Sequence, residues 1–525
     1  MDKIENRTTG EQKRMGESAA IEAPAKAGVR EWLGLGVLAL PTLLMSMDIS
    51  VLYLALPHLA ADLAPSSTQM LWMVDIYGFT LAGFLIIMGK LADRIGRRKL
   101  LMIGAATFGV ASVLVAYSSS AEMLIATRAL LGIAGATLMP STLSLLRNMF
   151  LDPQQRSSAI GVWMMCLVAG SVLGPVVGGL MLEWFWWGSV FLLGVPVMLL
   201  LLVTAPSLLP EYRGPTTERL DMLSAFMSLA AILCVVYGIK SMAKEGLEVL
   251  SYLIIAAGLL IGWGFVFRQN YVKDPLVDIR LFRLPVFSGA LFMMLLGLLT
   301  ISGLNFYIAQ YLQLVQHLSP FMAGLWLIPS AVGIIIGSVA APWFVRRFPP
   351  AYVIGVGLLI SCTGLVAITQ VEAASALSVL VVGSVVFSIG IAPLTVLGTD
   401  LIIGAAPPEK AGSASAISET SAELGAALGI TIMGSIATAV YDRQISSSLP
   451  EELPVSAAQA VKDSLPSAVE ASAALPAELA AEVIGLAREA FTVGLNTIAA
   501  TSAVLALLVA GLTVFLLRNV SARTE

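Results

Sequence analysis

Five carboxylates and one guanidinium fall inside otherwise apolar stretches of this 525-residue chain: Asp48, Asp75, Asp400, Glu419, Glu423 and Arg128. An ionisable group at membrane depth costs roughly 2.5–3.5 kcal/mol even on the most lenient scale, so each of the six is a functional candidate by default. Counting inward at about 1.5 Å per residue puts Asp48, Asp75 and Arg128 in one layer, roughly 8–12 Å below one membrane surface. A shared layer lets Arg128 neutralise one carboxylate while the other stays free to bind a proton or a cation. Protonating Asp48 would release Arg128 to a new partner, which makes a two-state element. The alternative is a permanent Asp48–Arg128 pair that only locks two helices. Glu419 and Glu423 are spaced i, i+4 and share one helical face. Glu423 falls roughly 18 Å deep, near the bilayer midplane, with Glu419 one turn nearer the surface. Neighbouring carboxylates titrate as a pair and suit proton exchange; Ser418, Thr420 and Ser421 could hydrogen-bond either protonation state. The plainer reading is that the two acids hydrogen-bond adjacent helices. Asp400, near a span end, is either functional or reaches out to water.

The elements that must hold these groups follow from composition. Hydrophobic residues make up 58 % of the chain and charged residues 12 %, with a net charge of −4, against about 25 % charged residues in a soluble domain. Long apolar runs without strand-like alternation exclude a soluble enzyme, a disordered chain, a nucleic-acid binder and an outer-membrane barrel. Cys166, Cys234 and Cys362 each lie in an apolar run, and His58 and His317 are isolated, so neither a disulfide framework nor a metal site is expected. Residues 1–31 mix both charge signs and hold no apolar core of a secretory signal. A span needs about 20 apolar residues, and fourteen such runs are present, near 33–56, 70–89, 100–117, 122–146, 158–182, 188–209, 220–239, 250–267, 287–309, 321–345, 352–371, 375–403, 411–440 and 493–517. Twenty-four of the 30 Lys and Arg residues then fall on the side of both termini, which predicts cytoplasmic termini. Lys240, Lys244, Arg443, Lys462 and Arg488 are assigned to the outside. The one long external segment, 442–492, carries eight acidic and three basic residues. It reads as a short helical hairpin over the outer face or as an acidic linker.

Repetition gives the expected domain plan. Gly89-Lys-Leu-Ala-Asp93-Arg94-Ile-Gly96-Arg97-Arg98 follows span two, and Pro342-Trp-Phe-Val-Arg346-Arg347-Phe-Pro349 follows span ten at the equivalent place. The spacing fits a cytoplasmic tail (1–31), a six-helix bundle (32–210), two linker spans with their loops (211–286), a second six-helix bundle (287–517, including 442–492) and a tail (518–525). Trp72, Tyr77, Trp163, Met164, Met165, Phe306, Tyr307 and Tyr311 could line an apolar cavity in which carboxylates and π faces favour lipophilic cations. Residue by residue, packing or an interfacial aromatic belt explains them equally. Gly170, Gly174 and Gly178, joined by Gly179 and Pro175, put small residues on one face of span five for close helix approach.

Together these motifs resemble the major facilitator superfamily. The loop from Gly89 through Asp93, Arg94, Gly96 and Arg97 to Lys99 is similar to its signature loop, and Gly170–Gly179 to its antiporter motif. Arg128-Ala-Leu-Leu-Gly132-Ile-Ala-Gly135 resembles the proton-linked motif of helix four, and Met47–Pro57 the helix-one motif of drug:proton antiporters. Leu71–Tyr77 and Ala414–Gly429 resemble the fourteen-span branch that exports quaternary ammonium compounds, the QacA-, SmvA- and LfrA-like pumps. The resemblance implies an all-α polytopic fold with two six-helix bundles and two extra central helices in a bacterial cytoplasmic membrane. It assigns proton coupling to Asp48, Arg128, Glu419 and Glu423, and cation recognition to Asp75 and Glu423, with Trp72, Tyr77, Trp163 and Tyr307 as candidate lining. Asp93 with Arg97 would form a conformational latch, Asp93 capping a neighbouring helix N-terminus in one state. Dication exporters of this branch carry a further acid in helix ten, where this chain reads Ala331-Val-Gly-Ile-Ile335. The implied function is proton-coupled export of monovalent lipophilic cations by a monomer, with no enzyme activity, cofactor or nucleic-acid partner and with the proton motive force as energy source. Export of a single endogenous metabolite or antibiotic is the alternative, and a non-transporting membrane sensor a more distant one.

Overall fold

The computed structural model describes residues 26–213, 221–245, 248–272, 275–373, 377–407, 410–450 and 453–517; the calls on the two tails therefore lie largely outside the described residues. Among the described residues, fourteen helices are long and apolar enough to cross a membrane. They are α1 (Val29–Leu63), α2 (Ser67–Ile95), α3 (Arg97–Ala116), α4 (Ala121–Met149), α5 (Pro153–Trp184), α6 (Ser189–Leu208, interrupted at Leu193) and α7 (Met222–Glu245). The series continues with α8 (Val249–Gln269), α9 (Pro285–Gln310), α10 (Pro320–Val345), α11 (Pro350–Ile368), α12 (Leu377–Ala405), α13 (Ala411–Ser446) and α14 (Ala477–Leu517). An even number of crossings puts Val29 and Leu517 at the same end, the terminal side; the opposite end is the cap side.

Local chemistry sets many helix starts. Ser66 accepts from the Gln69 amide while the Gln69 side chain accepts from Ser66, a reciprocal cap for α2. Asp152 caps α5 ahead of Pro153, and Ser319 caps α10 ahead of Pro320, proline fitting the first turn because its missing N–H would have no partner there. Between α2 and α3 stands Gly96 alone, at φ +111°, a backbone conformation that glycine takes without steric penalty.

Packing repeats between the halves. In the first, α1 lies on α5, α2 on α4, and α3 on both α4 and α6; in the second, α9 lies on α13, α10 on α12, and α11 on both α12 and α14. The halves meet along two matching seams, α2 with α13 and α5 with α10. Small residues allow the approach: a Cβ on Gly78 would stand 3.1 Å from that of Ala427, and Gly179 faces Phe321. Tyr53 and Phe306 add an edge-on ring contact at 5.7 Å. The Gly179 and Tyr53 contacts lie toward the cap side, and the Gly78–Ala427 contact lies near the middle of its two helices.

The pair α7–α8 breaks the twofold pattern. α7 packs on α8 and also on α2 and α13, so it covers one seam; Phe79, Val236 and Ala427 form the buried centre of that junction. Outside the spans, burial raises the Asp221 carboxyl, but hydrogen bonds from Arg268 and Ser224 outweigh that and hold it below the usual carboxylate range. Lys410 likewise holds Asp278 low and ties the connection after α8 to the start of α13. On the cap side the segment expected to form a hairpin contains two short helices, Val455–Asp463 and Leu465–Ser472. Asp463 accepts from the Ser67 amide at 3.1 Å, so this segment of the second half caps a helix of the first.

Candidate functional site

Two internal ion pairs occupy the core of the first half and its seam. Arg128 of α4, fully buried, places Nη1 3.1 Å from Asp48 Oδ2 of α1. Its guanidinium also lies 5.1 Å from the Tyr77 ring centre and 5.8 Å from that of Phe191, a setting in which ring quadrupoles offset lost hydration. Asp75 of α2 is paired as well: Lys240 Nζ lies 2.8 Å from its Oδ2, and Thr431 of α13 donates to the same oxygen at 2.6 Å. Lys240 is only 2 % exposed. The expectation that one of the two aspartates stays free is thus corrected, and so is the assignment of Lys240 to an outer loop. Sequence reading ended span seven at residue 239, but α7 runs on to Glu245 and carries Lys240 inside.

The satisfaction of these charges is incomplete. Asp75 Oδ1 and Arg128 Nε and Nη2 are buried without a hydrogen-bond partner. Such orphans are rare in folded proteins, and each calls for an explanation such as a functional role or a bound water or ion. Asp75, Arg128, Tyr77 and Glu423 line a common cavity of about 30 Å³ together with Tyr53, Gly78 and Ala427. That volume admits roughly two waters and is far below the ~300 Å³ of a small-molecule site. In this state the centre is closed around its charges.

Glu419 and Glu423 of α13 differ from the aspartates. Both are partly exposed, and neither has a hydrogen bond or ion pair among the described residues. Asp400, at the terminal-side end of α12, is exposed.

The aromatic candidates are scattered. Trp72 turns its ring toward Lys240, with Nζ 4.0 Å from the centroid, and Tyr77 lines the central cavity. Trp163 is buried in the core of the first half, while Met164 and Met165 are exposed. Tyr307 lies against Phe491 and lines a separate cap-side cavity with Phe306; Tyr311 donates to the Glu372 carbonyl. The residues sequence reasoning missed are Lys240, Thr431 and Tyr53. Lys240 gave no signal of its own in the sequence, standing at the end of an apolar run; the fold places it five residues inside the end of α7, against Asp75 eight residues inside the start of α2.

The glycine motifs occupy packing positions. Gly170, Gly174 and Gly178 face α1 at Ser46, Ser50 and Val51, Pro175 faces Gly324, and Gly179 meets α10. In the loop after α2, Arg97 bonds Asp93 through Nε at 2.9 Å and lies over Tyr212, so Asp93 is engaged within its own loop. Arg94 is exposed, Gly89 faces Pro140, and Gly96 is held against Glu211.

Comparison with known proteins agrees with this architecture. The family model described as Major Facilitator Superfamily matches residues 38–440. The chain is 41 % identical over 478 residues to the multidrug efflux pump LfrA of Mycolicibacterium smegmatis, covering 91 % of this chain and 94 % of that one. It is 33 % identical to the methyl viologen resistance protein SmvA of Salmonella typhimurium (88 % and 93 % covered). With the tetracenomycin C resistance and export protein of Streptomyces glaucescens the identity is 30 % (93 % and 91 %). Among solved structures, a bacterial homologue of the human lysosomal transporter Spinster superposes with a TM-score of 0.65 at 17 % identity, covering 93 % of this chain and 99 % of that one. The matched residues, the repeated packing and the fourteen spans make this chain a multi-pass transporter of the Major Facilitator Superfamily.

Proposed function

We propose that the protein is a proton-coupled multidrug exporter of lipophilic cations in the bacterial cytoplasmic membrane, with its terminal side in the cytoplasm. The observation that carries this reading is the charge inventory of the core: Asp48 and Asp75 have internal cations, whereas Glu419 and Glu423 have none among the described residues. Two partly exposed carboxylates without counter-ions are fitted to hold either protons or a cation. Asp48 with Arg128 serves as the proton-sensitive element, Asp75 and Glu423 recognise the cation, and Trp72 and Tyr77 supply π faces. Alternating access follows from rocking the two halves about the seams α2/α13 and α5/α10. The names of LfrA and SmvA support multidrug and cation export. Similarity to a tetracenomycin C exporter favours, as a second reading, a pump for one antibiotic.

The test uses purified protein in liposomes with an imposed pH gradient. Adding ethidium or tetraphenylphosphonium is expected to release protons from wild type, with the release abolished in Glu423→Gln and Asp48→Asn. Proton flux with one antibiotic and with no lipophilic cation would select the second reading; flux in both variants equal to wild type would remove the carboxylates from the mechanism.

A further inference from the structure

Lys240 enters the core from α7, a helix outside the two repeated bundles. Its ammonium sits 2.8 Å from a buried carboxylate oxygen and 4.0 Å from the centroid of an indole ring. A carboxylate beside an aromatic face is the chemistry that recognises a lipophilic cation, and here the chain supplies that cation itself. One further observation separates this pair from a structural tie: Asp75 Oδ1 is buried without a hydrogen-bond partner among the described residues. An ion pair retained to lock helices would be expected to satisfy its donors and acceptors. Asp75 also lines the central cavity together with Glu423.

We propose that Asp75 and Trp72 form a cation subsite whose resident occupant is Lys240, and that a cationic substrate binds there by displacing the ammonium. The exchange leaves the charge around Asp75 unchanged, one monovalent cation replacing another. The displaced group has somewhere to go: Lys240 lies five residues from the cap-side end of α7, about 7 Å along the axis, and a flexible four-carbon stem can carry its ammonium toward interfacial water. Lys240 therefore sets a threshold, since only ligands that compete with a tethered cation gain the subsite. The extra helix pair thereby acts on specificity through one side chain.

This inference rests on the cation-export reading, and the experiment separates the two. Binding of tetraphenylphosphonium to purified full-length protein is measured by equilibrium dialysis. Lys240→Met, which keeps the stem and removes the charge, is expected to bind about fivefold tighter or better, because a self-occupied site lowers apparent affinity by its free fraction. Lys240→Arg keeps the occupant and is expected to bind no tighter than wild type. Adding Asp75→Asn to Lys240→Met is expected to abolish the gain. Equal or weaker binding by a folded Lys240→Met overturns the proposal. Should that variant not fold, wild type decides: acylation of Lys240 by a small amine-reactive ester, followed by peptide mass spectrometry, is expected to accelerate at saturating tetraphenylphosphonium, and an unchanged rate overturns the proposal. If wild type binds no lipophilic cation at all, the export reading itself falls. If wild type binds and releases protons while Lys240 neither competes nor becomes exposed, only the displacement falls.

Discussion

At Asp48 a carboxylate holds one end of a guanidinium whose Nε and Nη2 have no partner. Removing one member of a buried pair strands the other, at a cost of about 3–5 kcal/mol. Asp48→Asn is therefore expected to lower the melting temperature, and Asp48→Asn with Arg128→Gln to recover most of the loss; thermal unfolding in detergent checks both. Neither variant should release protons on cation addition, so stability and coupling separate. The Asp48–Arg128 pairing is legible in the sequence because both residues interrupt apolar runs at similar depth. The Asp75–Lys240 pairing is not, because a lysine at the end of an apolar run reads as a flank reaching for water. Periodicity gives a residue's face on its own helix and says nothing about which distant helix will meet it.

At the scale of elements, α1 is positioned by α5. A Cβ on Gly174 would stand 3.1 Å from that of Ser50 and 3.2 Å from the Met47 Cα, on either side of Asp48. Gly174→Val must push α1 outward, and such overpacking costs about 1–3 kcal/mol. The expected outcome is a folded but less stable protein whose cation-driven proton flux falls more than its cation binding, since Asp48 moves relative to Arg128 while Glu423 does not; flux and dialysis on one preparation test this. All fourteen spans can be read from apolar runs because a bilayer imposes their length. Their ends are less visible: the fourteenth run begins near 493, whereas α14 begins at Ala477, its first turns being built of alanine, leucine and glutamate, which form helix outside lipid as well. The cap between α13 and α14 owes its seat to Asp463 meeting Ser67, a contact between residues of opposite halves that no local pattern announces.

For the whole molecule the relevant quantity is uncompensated charge. On the proposed reading, with Asp48 and Asp75 neutralised internally, Glu419 and Glu423 would leave room for two protons per cycle. Exchange of two protons for one monovalent cation carries one net charge inward, and a potential of 100 mV then adds about 2.3 kcal/mol to the drive. Export from liposomes is accordingly expected to accelerate under a potassium diffusion potential, negative on the terminal side, at zero pH difference; indifference to that potential would indicate one proton per cation. The helix contacts of the two halves follow one packing pattern, and two similar loops are visible in the sequence, but the place of α7–α8 had no such signal. A twofold molecule with both seams bare would present two equivalent flanks to the surrounding lipid. Here α7 stands along the α2/α13 seam and the α5/α10 seam carries no added helix among the described residues. The molecule thus presents two unequal flanks to the surrounding lipid, and an amphiphile dissolved in the leaflet meets a different surface on each.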